Sequence, residues 1–361
     1  MFMACQPSRV APGPRGEEGA PRPPVPVAAE LSSEDEDLGP IAVTPAAPLP
    51  PVPTRVVLVT IDGVRADDVF DPARGRGSFS CLQERSKAAG VALGGGGASC
   101  GTVKASGPSY VSLPGYLEIF TGRRGDACTS NHCPRTSEPT LLDELRGHGQ
   151  SPTSIASVSS WDRLDRAVSR STDWSFVLEG ADAAAPDPSD AALTKLLAAG
   201  KRAAGFPGTS PEYRPDVHTM KVARHVLEHQ RPRFLHVGLG DADELAHRGD
   251  VEGYFGALKA SDAFVCDIAD ELARQGTPGL VVVTSDHGRY SADMRHHGAG
   301  LAGSSRAFVA AFGNVIRPSD GCASRDVTLS DIAPTLRVHL GLPPDTSARA
   351  GQPIAELLPA R

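Results

Sequence analysis

Basic residues are in deficit in this chain of 361 residues: 36 Lys and Arg face 43 Asp and Glu, for a formal net charge of -7. Binding to nucleic acid through phosphate neutralisation needs the opposite balance, and no basic run or aromatic-studded basic strip is present, aromatics being 5% of residues. Nucleic acid is therefore excluded as a structural partner. Also missing is any apolar run near the roughly 20 residues that cross a bilayer, so the body of the protein is not integral to a membrane. No internal repeat occurs, and no cysteine spacing matches a zinc ribbon. What is present is 40% hydrophobic residues over a length that holds one large domain or two ordinary ones, enough for a sizeable core.

Residues 1–54 differ in kind from the rest. From Pro7 onward they are rich in Pro, Ala, Gly and Glu, have no helical or strand period, and read as a disordered tether. Ahead of that stretch, Met1-Phe2-Met3-Ala4-Cys5 resembles the tail of a bacterial lipoprotein signal, in which a small residue precedes the lipidated cysteine. The hydrophobic region that belongs before it is missing, so a start codon placed too late and an accidental cysteine are the two readings. Any membrane attachment runs through a lipid on Cys5. Six further cysteines permit disulfides without showing them: Cys128 and Cys133 bracket a short polar loop and suit a staple, whereas Cys266 sits in an apolar helical pattern and reads as a buried thiol. This favours a periplasmic or cell-surface setting, with the cytoplasm as the alternative.

The chemistry gathers at the ends of apolar runs. Residues 280–284, LVVVT, are too short and too rich in Val for a helix and fit a strand buried on both faces of a parallel sheet. Asp286 and His287 leave its end, and His297 returns after a loop. Residues 55–61, RVVLVTI, form a second such strand, ending in Asp62-Gly63. Residues 233–239 form a third, followed by Asp241 and by Asp243 and His247, which share one face of a helical turn. Active sites of open α/β sheets lie at such carboxyl ends, and Asp and His are ligands suited to zinc or a similar ion. The segment SGPSYVSLPGYLEIFTG, residues 106–122, turns from loop to helix, with Ser112 at the N-cap, Pro114 in the first turn and Gly122 at the close. A helix amino terminus is a ready site for phosphate or sulfate. Residues 251–274 are a long amphipathic helix, and strands alternating with helices predict an α/β layered fold. Residues 161–214 lose this period and read as a cap or insertion that selects substrate.

Laid side by side, these segments resemble the alkaline phosphatase superfamily, in particular its nucleotide pyrophosphatase/phosphodiesterase and sulfatase-like branches. The resemblance runs through residues 55–358 and rests on five motifs in order: V-T-I-D-G-V-R-A-D, a serine before L-P-G-Y-L-E-I-F-T-G, D-x-x-x-H, T-S-D-H-G and a late H-G. It implies a three-layer α/β/α sandwich around a largely parallel mixed sheet in residues 55–361. It also implies two divalent ions, zinc by default with manganese the alternative: Asp62, Ser112, Asp286 and His287 would surround one, and Asp243, His247 and His297 the other. Asn131 matches in position an asparagine that hydrogen-bonds a phosphoryl oxygen in the diesterase branch. The departures count too. Sulfatases carry C/S-x-P-x-R, and here the arginine position holds Tyr116. The diesterase branch has Thr-x-Pro-Asn-His where this chain has Ser112-Leu113-Pro114-Gly115-Tyr116.

The reading is a metal-dependent hydrolase of small phosphate esters, mono- or diester, acting through a phosphoserine on Ser112. Its rivals are a phosphoglycerate-mutase-like phosphotransferase, a sulfatase-like hydrolase, and a catalytically silent tethered binding protein. Neither the substrate nor the oligomeric state is legible in the residues.

Overall fold

The computed structural model describes residues 54–359, apart from 98, 126, 175 and 206–208. The expected tether up to residue 53, Cys5 included, lies outside the described residues.

Among the described residues nine strands follow in chain order: β1 (Arg55–Ile61), β2 (Gly90–Leu93), β3 (Val103–Lys104), β4 (Ile155–Ser159), β5 (Val177–Glu179), β6 (Phe234–Leu239), β7 (Gly279–Thr284), β8 (Val309–Gly313) and β9 (Val327–Thr328). Seven of them form one sheet in the order β2-β8-β7-β1-β6-β4-β5, and β3 pairs with β9 apart from it. Within the large sheet β8 runs antiparallel to both its neighbours and the other pairings are parallel. The sheet is therefore mixed but largely parallel.

Strand β1 shows why both faces must be covered. Val56 and Leu58 point into one apolar core with Leu280 and Val282 of β7, together with Leu113, Tyr116 and Leu117 of the helix Ser112–Thr121. Val57, Val59 and Ile61 point into a second core with Val281 and Val283, together with Leu258, Val265 and Ile268 of the helix Val251–Arg274. This alternation, period two along each strand, leaves no solvated face and produces helix, sheet and helix layers. The expected three-layer α/β/α architecture is what the chain forms. Residues 161–214 do more than cover a site, because they contribute the edge strand β5 and the helix Ala191–Arg202.

One cysteine assignment is corrected. Cys266 is not a free buried thiol but is bonded to Cys81, and Cys100 is bonded to Cys322. Packing accounts for the first pair: Asp262, one helical turn before Cys266, accepts from the backbone N–H groups of Cys81 and Leu82 at 3.0 and 2.8 Å, which docks the start of the helix Ser80–Ala89 on the helix Val251–Arg274. The Cα atoms of the two cysteines are then 6.5 Å apart. Cys128 and Cys133 are bonded as the sequence suggested.

A polar chain crosses the middle of the sheet. Thr60 on β1 lies 2.9 Å from His236 Nε2 on β6, His236 Nδ1 lies 2.7 Å from Ser157 Oγ on β4, and Ser157 donates to Glu179 Oε1 on β5 at 2.5 Å. Burial brings the Glu179 carboxyl up to about 7 and the His236 imidazole down to about 3, so His236 is held neutral and Glu179 keeps its proton until the pH approaches 7. Because the folded-state pKa of Glu179 stands above its unfolded value, its contribution to stability is present below about pH 4.5 and is lost as pH rises through 7. Replacing it by the neutral isostere removes that loss. Glu179→Gln is expected to raise the stability at pH 8 by on the order of 1–3 kcal/mol and to change it little at pH 4. Urea unfolding at the two pH values measures this, and equal effects at both would show that folding does not raise the Glu179 pKa.

Candidate active site

The three central parallel strands β6, β1 and β7 end level with one another, since Thr60 of β1 pairs with Gly238 of β6 and with Thr284 of β7. Each continues directly into acids or histidines, which are thereby delivered to one edge. Asp62 follows β1, Asp286 and His287 follow β7, and the helix Asp241–His247 follows β6 after a single residue, Gly240. Gly63 allows the crowding. Its φ is +63°, and a Cβ there would lie 2.2 Å from Asp243 Oδ1 and 2.5 Å from Arg289 Nη1.

Two clusters result. Asp62, Asp286 and His287 form one and Asp243, His247 and His297 the other, with the offered ligand atoms of each all within 4.8 Å of one another. In the first, His287 Nε2 is 3.3 Å from Asp62 Oδ1 and 3.4 Å from Asp286 Oδ2. In the second, His247 Nε2 is 3.1 Å from Asp243 Oδ2 and 3.0 Å from His297 Nε2. The rings of His287 and His297 stack with centroids 3.9 Å apart and join the clusters.

The donor set fits cations. Each of the three imidazoles has its Nδ1 against a backbone carbonyl: His287 on Gly288 at 2.8 Å, His247 on Arg295 at 2.7 Å, His297 on Tyr110 at 2.9 Å. A carbonyl only accepts, so Nδ1 carries a proton and Nε2 is the nitrogen that faces the cluster, the arrangement of metal-ligating histidines. In the second cluster the two Nε2 atoms stand 3.0 Å apart, a contact that needs a shared proton or a bound metal ion, and the Asp243 hydrogen bond raises the His247 imidazole above its ordinary value. In the first cluster Asp286 is fully buried and its Oδ2 has no hydrogen-bond partner among the described residues. Burial, then the charge of Asp62, pushes the Asp286 carboxyl well above the ordinary carboxylate range. Burial opposes a charged His287, but Asp286 and Asp62 outweigh it and bring the imidazole up to about 9. Acids crowded out of water in this way are neutralised by a proton or by a metal.

Ser112 is the first residue of the helix Ser112–Thr121 rather than its N-cap. Val111 takes that place, with extended backbone and no side-chain bond, and the Ser112 hydroxyl points instead to the metal edge. Its Oγ is 3.4 Å from both Asp62 Oδ1 and His287 Nε2. The close approach depends on Gly115, where a Cβ would meet the Asp286 carbonyl oxygen at 2.3 Å. Asn131 stands beside it, and its Oδ1 accepts from the Leu113 N–H at 2.9 Å. Gly122 closes the helix with φ +69° as expected.

Ser112, Asn131, Asp62, Asp243, His247 and His297 all open onto one cleft of about 440 Å³. Trp161, Arg163, Arg166, Glu212 and Glu244 line the same cleft. Sequence reasoning named residues 161–214 for substrate selection without naming their side chains. It also missed Arg289, a fully buried arginine whose guanidinium pairs with Asp243 and reaches the carbonyls of Met294 and Arg295. Burial would raise the Asp243 carboxyl, but Arg289 and His247 hold it well below the ordinary range. The signal was available in D-H-G-R, where an arginine directly follows a buried metal-like motif. Of the expected site residues, Asp62, Asp243, His247, Asp286, His287 and His297 gather at this edge with Ser112 against it, and Asn131 reaches the cleft from a loop. A second cavity, about 230 Å³ and lined by Leu272, Val281 and Phe312, contains no acid or histidine.

Residues 204–344, which include Asp243, His247, Asp286, His287 and His297, match the Metalloenzyme superfamily. A phosphopentomutase of Methylobacterium nodulans (strain LMG 21967 / CNCM I-2342 / ORS 2060) is 36% identical over 179 residues, 45% of this chain, and the matched part spans only 42% of that relative. Among solved structures, the alkaline phosphatase PafA superposes over 86% of this chain and 99% of its own with a TM-score of 0.62 at 13% identity. The phosphonate monoester hydrolase of Agrobacterium radiobacter covers 84% of this chain and 77% of its own, with a TM-score of 0.51 at 16% identity. At such identities the structural likeness speaks for the fold, and the matched segment speaks for divalent metal ions. The chain thus has an alkaline-phosphatase-like α/β fold, and its residues 204–344 match a superfamily of metalloenzymes.

Proposed function

We propose that the protein hydrolyses phosphate esters with Ser112 as nucleophile. The observation that carries this reading is the Ser112 hydroxyl at 3.4 Å from both Asp62 and His287, at the start of a helix and at the floor of a cleft. Asp62, Asp286 and His287 would hold one divalent ion and Asp243, His247 and His297 a second, with zinc the default for such Asp and His donors. When bound, these ions supply Lewis-acid stabilisation of the charge that grows on the attacking, leaving and phosphoryl oxygens.

The residues themselves do the following. Asp62 Oδ1 accepts from the Ser112 hydroxyl at 3.4 Å and takes its proton, and the helix amino terminus favours the anionic oxygen. Ser112 Oγ bonds to phosphorus as the ester P–O bond breaks and the alcohol departs with a proton. Water then attacks phosphorus, the Ser112–phosphorus bond breaks, and phosphate or a phosphomonoester leaves. Asn131 and the Arg163 guanidinium, both on the cleft, offer N–H donors to the phosphoryl oxygens. Tyr116, at the position where sulfatases keep arginine, donates to Asp62 Oδ2 at 3.4 Å and is neutral, which disfavours the sulfatase reading.

The similarity to a phosphopentomutase favours a second reading, in which the phosphoryl group passes from Ser112 to an acceptor sugar instead of water. Protein loaded with zinc or manganese should release the alcohol from 4-nitrophenyl phosphate or its diester without any acceptor. Turnover that depends on a sugar phosphate would favour the mutase, and no turnover of phosphomonoesters, diesters, phosphonates or sulfates by metal-loaded protein would remove the enzymatic reading. Three disulfides, Cys81–Cys266, Cys100–Cys322 and Cys128–Cys133, support an oxidising compartment. Tethering by a lipid on Cys5 belongs to the same proposal, and an unmodified amino terminus in the native protein by mass spectrometry would count against it.

A further inference from the structure

The loop that carries Asn131 has no strand or helix of its own, and Asn131 and His132 are partly or fully exposed. Something other than burial must hold the asparagine at the cleft. The structure shows what does. The Cys128–Cys133 bond closes the loop on itself, five residues apart. From the cleft wall, Arg163 donates to the Asn131 carbonyl at 3.0 Å and Arg166 to the Cys133 carbonyl at 3.1 Å. Inside this frame Asn131 Oδ1 takes the Leu113 N–H, next to the nucleophile. With its oxygen so engaged, the side chain turns its NH2 group, a double donor, away from the helix, and that nitrogen has no partner among the described residues.

We infer that the Cys128–Cys133 disulfide is a positioning device for the active site: it fixes Asn131 so that the amide N–H meets a phosphoryl oxygen, and opening it lowers phosphoryl binding without unfolding the protein. The two cysteines act through Asn131 and touch no substrate. The other two disulfides join segments 185 and 222 residues apart and serve the fold, so a five-residue staple adds little to global stability by comparison. Placement is where its effect lies, since a misplacement of about 1 Å can cost on the order of 100-fold in rate.

This rests on the phosphoester reading, and two readouts keep them apart: turnover of 4-nitrophenyl phosphate and calorimetric binding of inorganic phosphate, both on metal-loaded full-length protein. Cys128→Ser/Cys133→Ser is expected to lower kcat/KM by about 10- to 100-fold and to weaken phosphate binding, with metal content unchanged and the melting temperature close to wild type. Asn131→Ala should show the same losses, and combining it with the cysteine pair should add nothing further. If the serine variant fails to fold, mild reduction of the wild type with alkylation mapped to Cys128 and Cys133 replaces it, and reoxidation of an unalkylated sample should restore the rate. Additive losses, or wild-type phosphate affinity with the bond open, would overturn the inference. A neutral Asn131→Ala would overturn it as well, together with the role given to Asn131. Should no ester be turned over while phosphate binding still follows the staple, the hydrolase reading fails and the positioning role stands.

Discussion

Ser112→Ala is expected to lower turnover of an activated phosphoester by about three orders of magnitude or more, while metal content and melting temperature stay near wild type. Three serines lie on the approach to the helix, and the structure separates them. Ser106 is committed elsewhere: its hydroxyl donates to Glu118 Oε1 at 2.6 Å and its backbone N–H to Oε2 at 2.8 Å. Ser109 precedes the helix by three residues and is not among the residues lining the cleft, whereas Ser112 is. Only Ser112 lies against Asp62 and His287 and within the field of the helix amino terminus. It caps nothing, so its removal costs little structure, and the loss of rate is a loss of the reacting atom. Ser109→Ala should keep most of the activity. A Ser112→Ala protein working at near wild-type rate, or a trapped phosphoenzyme mapped to another residue, would show that bound water attacks directly.

The parts of this molecule that were legible beforehand share one physical property, which is that their local pattern and their tertiary role agree. β1 was read as residues 55–61 and is Arg55–Ile61, and the helix Val251–Arg274 has the limits expected, because a strand buried on both faces is apolar throughout and an amphipathic helix repeats its face. β8, Val309–Gly313, was not read. Its sequence VAAFG has two alanines, which favour no strand, and it forms by pairing with β2 and β7. The Cys81–Cys266 bond escaped notice for a related reason: a thiol in a helix pattern looks buried, and its partner is 185 residues away. Arg289 stood beside the D-H-G motif in the sequence, but its role was not legible because only the fold brings Asp243 to it. The grouping of acids and histidines at strand ends was visible because the sheet itself enforces it. Ser112 was expected at the N-cap position and as the nucleophile, and only its place in the helix differs. The helix begins one residue earlier than that, and the hydroxyl is left for chemistry.

Metal-reconstituted protein is expected to bind two divalent ions per chain, and His287→Ala and His247→Ala each to lose one of them. The two histidines belong to different clusters, and each has its Nδ1 fixed by a carbonyl so that only Nε2 is offered. Truncating His287 leaves Asp62 and Asp286 as two carboxylates without the neutral donor between them, while Asp243, His247 and His297 remain intact. The ions also act on the fold. Asp62, Asp243 and Asp286 crowd a buried edge, and a ligand that binds the native state alone stabilises it by mass action. Chelation should therefore lower the melting temperature of the wild type, and lower it less in either variant. Acid should act in the same direction as chelation: an ion must displace the proton that Asp286 and Asp62 hold on His287, brought up to about 9, so occupancy of that cluster should fall as pH decreases and metal uptake should release protons. Plasma emission analysis of gel-filtered protein gives the stoichiometry directly. One ion in each variant would fit the two clusters, loss of both ions from a single variant would mean one coupled site, and no ion in zinc- or manganese-reconstituted wild type would leave these six side chains as a buried polar network without the proposed chemistry.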